Sequence, residues 1–458
     1  MKKIDKNKTV FGVLLSLLVL ISACKYDVIP TPPGPVVPKA LDTLDAVYVS
    51  TSPNSLSSAY WANANYHPVT CVNLSTGNLY GDGLLNMTGT FTGVSDFYGG
   101  KSPDLIMKAA YDSINLYILL EWNDSTLNIA NSNWYVNGNP DPLKADTISE
   151  WTSQKNNDKV SLAWEIQPAT GTGGTFSTSG CAATCHSGGQ MGLTSGSVDI
   201  WNWNLALSEP MGYANDMVIT PSSGLTYDAG NPTFARNSNS SSNRSGPAFS
   251  WNGVLQSIVR GNGKTSILDP SFFLYNKTPL SGDVYGGDTS YHNAVYGCWN
   301  CHGAVGEGNG PLDAGAPFLN NANIGRYSFQ SFAAFSSAST TAPHDGAPYW
   351  AQMTPAQQLD VYTYILGIAG VPGYYLQEPT GSNADIVSTS NVNLVNVSSF
   401  KNMQYKVLLV RKLNTGNSDD AVFNPVQKPV VTFGVALMDN DGINHVGSFK
   451  ETLQFLKK

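Results

Sequence analysis

Two short strings in the sequence each place a histidine directly after a pair of cysteines. They are Cys298-Trp-Asn-Cys301-His302 and Cys181-Ala-Ala-Thr-Cys185-His186. Each thiol can add to a vinyl group of a porphyrin to form a thioether, and the adjacent imidazole can then bind the iron. The first string has the usual spacing for covalent haem, and the second has one additional residue. Together they predict two c-type haems, with His302 and His186 as proximal ligands.

Two other kinds of site also use paired cysteines. Four thiolates can hold a structural zinc ion, and two cysteines in a βαβ unit can form a thioredoxin-like redox pair. Zinc gives no reason for a histidine directly after both pairs, and no βαβ pattern surrounds either string. The residue pattern therefore favours haem over both alternatives.

Residues 1–24 have the pattern of an export signal. Four lysines precede an apolar run over residues 10–21, which is too short to cross a bilayer comfortably. The following Ile-Ser-Ala-Cys24 resembles a bacterial lipoprotein box, with an ordinary signal peptide as the alternative. We therefore expect an exported protein, lipid-anchored through Cys24 to a bacterial membrane on the periplasmic side or at the cell surface. The proline-rich residues 25–44 are the expected linker.

The composition favours an exported, strand-rich protein with polar turns. Hydrophobic residues make up 41% of the 458 residues and charged residues only 13%. The formal net charge of −8, with no long basic run, argues against nucleic acid as a partner. Cys71 is the one cysteine to which the sequence assigns no role.

Strand patterns occur on both sides of a helical segment. Residues 105–111 and 116–122 predict a β-hairpin around a short polar turn. Residues 159–166 predict a strand ahead of the first cysteine string. Beyond about residue 385, residues 405–411 and 430–438 predict two more strands.

Residues from about 291 to 370 predict a separate, mostly helical unit. Its last helix has a capping box, because Thr354 can cap the N-terminus and Gln357 lies three residues later. The helix is expected to end at Gly367 or Gly370. One face of it carries Leu359, Tyr362, Ile365 and Leu366.

The helical unit resembles the small soluble c-type cytochromes. The matching residues are Cys298 to Gly303, Gly306 to Pro311 and the helix that carries Asp360 to Ile365. The resemblance implies a haem c within a fold of three to four helices, with His302 as the proximal ligand.

The strand-rich remainder resembles the haem-binding domain of ethylbenzene dehydrogenase and related dimethylsulfoxide-reductase-type enzymes, which is a β-sandwich. The matching stretches are Tyr117 to Asp124, Lys159 to Ile166, Asp199 to Trp203, Gly212 to Asp216, Leu413 to Gly416, and Phe433 to Asp439 followed by His445. We therefore expect a mainly β fold with an α insert, in which an all-α cytochrome c domain interrupts the sandwich. The expected limits are 45–284 for the first part of the sandwich, 285–372 for the cytochrome c domain and 373–458 for the C-terminal strands.

The two resemblances also suggest the distal iron ligands. In the cytochromes a methionine precedes the last helix, but its position here is Ala347. His344 is favoured instead as the second haem's distal ligand, with Met353 as the rival. In members of the sandwich family without covalent attachment, a methionine and a lysine hold the iron. These align with Cys185-His186 and with the region of His445, so the resemblance implies His445 as the distal ligand of the first haem.

His67 and Met191 remain open as substitutes for His445. Two irons with both axial positions filled can change oxidation state but have no open position for a substrate. We therefore expect electron transfer between redox partner proteins rather than an enzyme with its own substrate. Two alternatives stay open: an electron-carrying subunit of a molybdenum oxidoreductase, and a haem enzyme or sensor with one open iron position.

Overall fold

The structure is a computed structural model of the chain. The residues that it describes are 38–73, 104–124, 129–136, 151–171, 173–187, 190–228, 234–238, 247, 250–251, 257–259, 265–267, 277–278, 282–294, 297–304, 332–338, 349–371, 373–376, 385–394, 403–438 and 445–457. Every structural statement below refers to these residues. Cys24 and His344, two of the expected functional residues, lie outside them.

The strands are numbered in chain order. They are β1 (Leu44–Tyr48), β2 (His67–Thr70), β3 (Val72–Asn73), β4 (Asp104–Tyr111), β5 (Asn115–Asp124), β6 (Ile129–Val136), β7 (Trp151–Asn157), β8 (Lys159–Gly171), β9 (Gly174–Thr175), β10 (His186–Ser187), β11 (Gln190–Met191), β12 (Ser195–Asn204), β13 (Asn215–Thr220), β14 (Gly224–Tyr227), β15 (Phe234–Arg236), β16 (Ser250–Trp251), β17 (Ser257–Val259), β18 (Thr265–Ile267), β19 (Lys277–Thr278), β20 (Tyr374–Leu376), β21 (Ile386–Leu394), β22 (Met403–Lys412), β23 (Val430–Met438) and β24 (His445–Leu456).

The helices are α1 (Ala59–Asn63), α2 (Phe176–Cys185), α3 (Val284–Tyr291), α4 (Trp299–His302), α5 (Phe332–Ala338), α6 (Tyr349–Gln352) and α7 (Pro355–Ala369). A short 3₁₀ helix spans Glu209–Met211. No helix in the described part of the chain is both long enough and apolar enough to cross a membrane.

One large sheet dominates the molecule, which confirms the mainly β prediction. Its strand order is β14-β13-β12-β8-β23-β24-β1-β4-β5-β22-β21. Strands from the C-terminal part pair with strands from the N-terminal part: β22 with β5, β23 with β8, and β24 with β1. The predicted hairpin is confirmed as β4 and β5, with Tyr111 opposite Leu116.

The two ends of this sheet meet near β21. There the Ala214 amide donates to the Ile386 carbonyl at 2.9 Å, and the Ser388 amide donates to the Gly212 carbonyl at 3.0 Å. The buried Glu209 carboxylate accepts from the Ser388 hydroxyl at 2.6 Å, which ties the 3₁₀ helix to β21. The sheet therefore surrounds its own core, to which nearly every long strand contributes apolar side chains.

Alternate residues of the same strands face outward and are covered by helices. Ala163 and Ile200 pack with Phe176 of α2, whereas their neighbours Trp164 and Trp201 lie in the enclosed core. This division follows from the two-residue period of a strand. Helix α2 therefore lies on the outer face of the sheet, over β8, β23 and β24.

The helices between residues 284 and 369 share a separate hydrophobic cluster. The predicted capping box of α7 is confirmed: the Gln357 amide donates to the Thr354 hydroxyl, and the Thr354 amide donates to the Gln357 side chain. The predicted face is confirmed as well, since Tyr362, Ile365 and Leu366 are buried in the cluster and Leu359 packs against it.

The expected end of this helix is confirmed at the second of the two glycines. Helix α7 continues past Gly367, and Gly370 is its C-cap residue. Gly367 instead allows a close approach, because a Cβ there would lie 2.7 Å from Cβ of Val136 and 3.0 Å from the ring of Trp151. Strands β6 and β7, which carry these two residues, form a two-stranded sheet that packs against α7. Strands β6 and β7 therefore support the helical cluster.

Helix α3 crosses α7 at Gly287, and this contact gives a testable prediction. A Cβ at Gly287 would lie 2.2 Å from the Asp360 carbonyl oxygen, which is far inside contact distance. We expect Gly287→Ala to destabilise the helical cluster by about 1–3 kcal/mol, despite the better helix propensity of alanine. Gly286→Ala is the matched control, because its Cβ would approach only the Asp360 side chain, at 2.9 Å. Equal urea midpoints for the two variants would contradict this packing.

Candidate functional site

The first cysteine string lies on α2, directly against the outer face of the sheet. Gly180 interrupts the helix with φ 77°, just ahead of Cys181. A Cβ at Gly434 of β23 would lie 2.6 Å from the Cys181 Cβ, and one at Gly171 would lie 1.9 Å from the Thr184 carbonyl oxygen. Only glycine at these two sheet positions lets α2 come so close. The sheet therefore fixes the position of the segment that carries both thiols.

The two thiols of this string contact each other. The Sγ atoms of Cys181 and Cys185 are 3.0 Å apart, with Cys185 fully buried and Cys181 half-buried. The contact with the Cys181 thiol, and then burial, raise the pKa of the Cys185 thiol well above its usual range. Cys185 is therefore a neutral thiol in this arrangement, and both cysteines are unbridged.

His186 and Met191, which follow this pair in the chain, are opposite each other in the short pair of strands β10 and β11. Met191 is half-buried and packs against the same outer cluster as Cys181 and Cys185. Met191 therefore lies near the first cysteine string, where a ligand that replaced His445 would have to lie.

His445 is buried and faces the same side of the sheet as Cys181. It is opposite Met438 in the β23–β24 pairing, and its neighbour Val446 points into the enclosed core. Met438 lies four residues beyond Gly434 on β23, so the two positions share a face and are about 13 Å apart along the strand. The pair Ala436 and Gly447, which lies between them, has almost no side-chain bulk.

The structure makes His67 a structural residue and not a substitute ligand. Its Nε2 lies 2.7 Å from Oε2 of Glu451, and its Nδ1 lies 3.0 Å from the Leu41 carbonyl oxygen. Burial alone lowers the pKa of His67, but the hydrogen bonds to Glu451 and Leu41 and the charge of Glu451 raise it overall. Both ring nitrogens of His67 therefore have partners within the fold, namely Glu451 of β24 and the Leu41 carbonyl ahead of β1.

The second cysteine string begins one short helix in the helical cluster. Cys298 immediately precedes α4 and His302 ends it, and both side chains are half-buried. The end of α3 holds the residues that follow: the Tyr291 hydroxyl donates to the Gly303 carbonyl at 2.8 Å, and Nε2 of His292 lies 2.8 Å from the Ala304 carbonyl. The backbone of the string is thus fixed on both sides, while the Cys301 side chain lies outside the description.

Met353 is buried in the same cluster that Cys298 and Trp299 contact. It directly precedes Thr354, the N-cap of α7. The structure therefore brings one of the two rival distal ligands to the neighbourhood of the second string. The other rival, His344, lies outside the described residues, so the choice between them stays a prediction.

The sequence reading missed a buried group of charged residues inside the sheet. Nη2 of Arg411 lies 2.8 Å from Oδ1 of Asp420 and 3.2 Å from Oδ2 of Asp199, and all three side chains are fully buried. The available signal was Arg411 directly after the apolar residues 407–410 of β22, because a charge in such a position needs buried partners.

Comparison with known proteins identifies the family. A model described as ethylbenzene dehydrogenase matches residues 58–291, which is more than half of the 458-residue chain. The matched part runs from α1 to α3 and contains the string from Cys181 to His186. No curated protein matches the sequence. The chain belongs to the ethylbenzene dehydrogenase family.

Proposed function

We propose that the chain is an exported, lipid-anchored electron-transfer protein with two covalently bound haems. The residues that hold them are Cys181, Cys185, His186 and His445 for the first haem, and Cys298, Cys301, His302 and either His344 or Met353 for the second. Redox partner proteins deliver and accept the electrons. Lipid on Cys24 keeps the protein at a bacterial membrane.

The observation that carries the proposal is the shared outer face of β23 and β24. Cys181 lies over Gly434 at one end of this face, and the buried His445 lies at the other end. Ala436 and Gly447, which pair between them, have small side chains that would not obstruct a planar macrocycle on this face. The donor set is also suitable, since two thiols and two imidazoles are the groups that covalent, six-coordinate haem requires.

The residues of the chain do three things in this proposal. Each thiol adds its S–H across a vinyl double bond, so the thioether forms without a leaving group. The sheet holds α2, which carries both thiols, in place through Gly171 and Gly434. The two sulfur atoms, 3.0 Å apart, would each bond to a different vinyl group of a haem held here. Burial of His445 would keep water away from that haem. A bound haem supplies reversible one-electron Fe(III)/Fe(II) chemistry.

The test is the haem content of the full chain produced in a host with c-type maturation. Two covalent, low-spin haems per chain are expected by mass spectrometry and absorption. His445→Ala is then expected to convert one of the two haems to high spin, because it removes an axial imidazole. His67→Gln is the matched control, since its ring is occupied by Glu451 and Leu41. An unchanged spectrum for His445→Ala would reject His445 as a ligand.

Family membership favours a second candidate function, that of the electron-carrying subunit of a molybdenum oxidoreductase. Co-purification with a molybdenum-containing partner would support this second candidate. A haem that is high-spin in the wild type and binds carbon monoxide would instead support an enzyme or sensor with an open iron position. A colourless protein with a Cys181–Cys185 disulfide would contradict the proposal at the first string.

A further inference from the structure

Four aspartates converge where the two ends of the large sheet meet. Asp216 is on β13, Asp228 directly follows β14, Asp385 directly precedes β21, and Asp420 lies in the connection from β22 to β23. One carboxylate oxygen from each lies within 4.8 Å of all the others. Three of the four are buried, and Asp385 is half-buried at the edge of the group. We call these four residues the aspartate cluster.

The spacing of these oxygens suits a calcium ion. Calcium binds six to eight oxygen ligands at 2.3–2.6 Å, so ligands on opposite sides of the ion are about 4.6–5.2 Å apart. The upper limit of 4.8 Å among the four oxygens falls within this range. One central ion can therefore contact all four carboxylates with little movement.

Carboxylates outnumber positive side chains among the described residues around the cluster. Arg411 forms the ion pairs of the group, with Asp420 at 2.8 Å and with Asp216 at 4.0 Å. Arg411 also contacts a fifth carboxylate, Asp199, at 3.2 Å. Arg411 and Lys412, whose charge acts on Asp385, therefore face five carboxylates, and buried charges without full compensation are costly.

A separate observation also indicates a missing positive ligand. Asp199 is fully buried, and its Oδ2 accepts hydrogen bonds from the Ala421 amide at 2.9 Å and from the indole of Trp201 at 3.2 Å. Its Oδ1 has no hydrogen-bond partner among the described residues. A buried carboxylate oxygen in that state is rare in folded proteins, and it is explained by an ion or a water that the chain alone does not supply.

The raised pKa values of two cluster members are those expected of crowded, buried carboxylates whose charges are only partly compensated. Burial, and then the charge of Asp199, raises the pKa of Asp216 well above its usual range. Burial and the charge of Asp420 raise the pKa of Asp385 as well. Neutral oxygen-bearing side chains are present at the rim, where the Asn417 amide donates to Asp385 at 2.8 Å and the Thr415 hydroxyl donates to Asp420.

We propose that Asp216, Asp228, Asp385 and Asp420 bind a calcium ion that fastens the two ends of the sheet together. The half-buried Asp385 marks the side from which the ion enters. This site is separate from both cysteine strings, and the proposal does not depend on haem.

The experiment uses the matured full chain after treatment with a chelator and gel filtration. Calcium is then added, and binding is followed by isothermal titration calorimetry and the unfolding midpoint by scanning calorimetry. We expect one ion per chain and a rise in the midpoint of about 5 °C at calcium far above its dissociation constant. Asp385→Asn, at the rim, is expected to weaken binding at least about tenfold without preventing folding. Asp419→Asn is the matched control, with the same charge change one residue outside the cluster.

Three outcomes would overturn the proposal. The first is a chelated wild type whose midpoint does not respond to calcium. The second is equal calcium affinity in the wild type and in Asp385→Asn. The third is an equal loss of calcium affinity in Asp385→Asn and in the control Asp419→Asn.

Discussion

The double variant Cys298→Ala, Cys301→Ala is expected to carry one covalent haem where the wild type carries two. Without the thiols no thioether can form at the second string, and a haem held by His302 alone is lost when the protein is denatured. The mass of the denatured chain should therefore fall by one haem, beyond the two sulfur atoms. Absorption of the denatured protein per chain should fall to half. Mass spectrometry and a haem assay on the denatured chain measure both changes.

The matched control for this variant is Cys71→Ala. Cys71 is a buried cysteine that belongs to neither string, so its removal is expected to leave both haems attached. The reciprocal variant Cys181→Ala, Cys185→Ala tests the first string in the same way. Full haem content in either double variant would show that the corresponding string is not an attachment site.

Arg411→Met is expected to cost about 3–5 kcal/mol of stability, the second large effect. The guanidinium is fully buried and pairs with Asp420 and Asp199 at 2.8 and 3.2 Å. Methionine fills a similar volume but leaves these carboxylates without their cation. Urea unfolding, followed by tryptophan fluorescence at one fixed calcium concentration, measures the loss.

Lys406→Met makes the same kind of change at a half-exposed ion pair and is the control for Arg411→Met. Lys406 lies 2.7 Å from Oε1 of Glu121, which also has Lys108 at 3.6 Å. Its loss is expected to cost less than about 1 kcal/mol. Equal urea midpoints for Arg411→Met and Lys406→Met would show that the buried charges are not arranged as described.

Local patterns predicted the elements that depend on neighbours in the chain. The hairpin of β4 and β5 follows from two apolar runs around a short turn, and the start of α7 follows from Thr354 and Gln357. The pairing of β22 with β5 and of β23 with β8 joins residues far apart in the sequence. The resemblance implied that the C-terminal strands complete the same β-domain, but no local pattern determines which distant strands pair.

The functional residues could likewise be predicted only where they are adjacent in the chain. The two cysteine strings were visible because their residues are adjacent, and the structure adds that Cys181 and His445 share a face. The aspartate cluster was not visible, because its four members come from four separate segments. Trp201 and Trp203 are both fully buried in the enclosed core. The two-residue spacing of Trp201 and Trp203 on β12 places them on one face of the sheet, but it does not show that this face is the enclosed one.

The late strands of the sheet have a consequence for biogenesis. Helix α2 packs on β23 and β24, so the surface that holds the first cysteine string is completed only when the last strands of the chain have folded. The described residues of the helical cluster end at Val371, so this cluster does not include β23 or β24. On the proposed function, the second cysteine string would therefore be ready for haem attachment before the first one. Such non-local assembly is slow, which leaves the unoccupied thiols of Cys181 and Cys185 exposed to oxidants for longest.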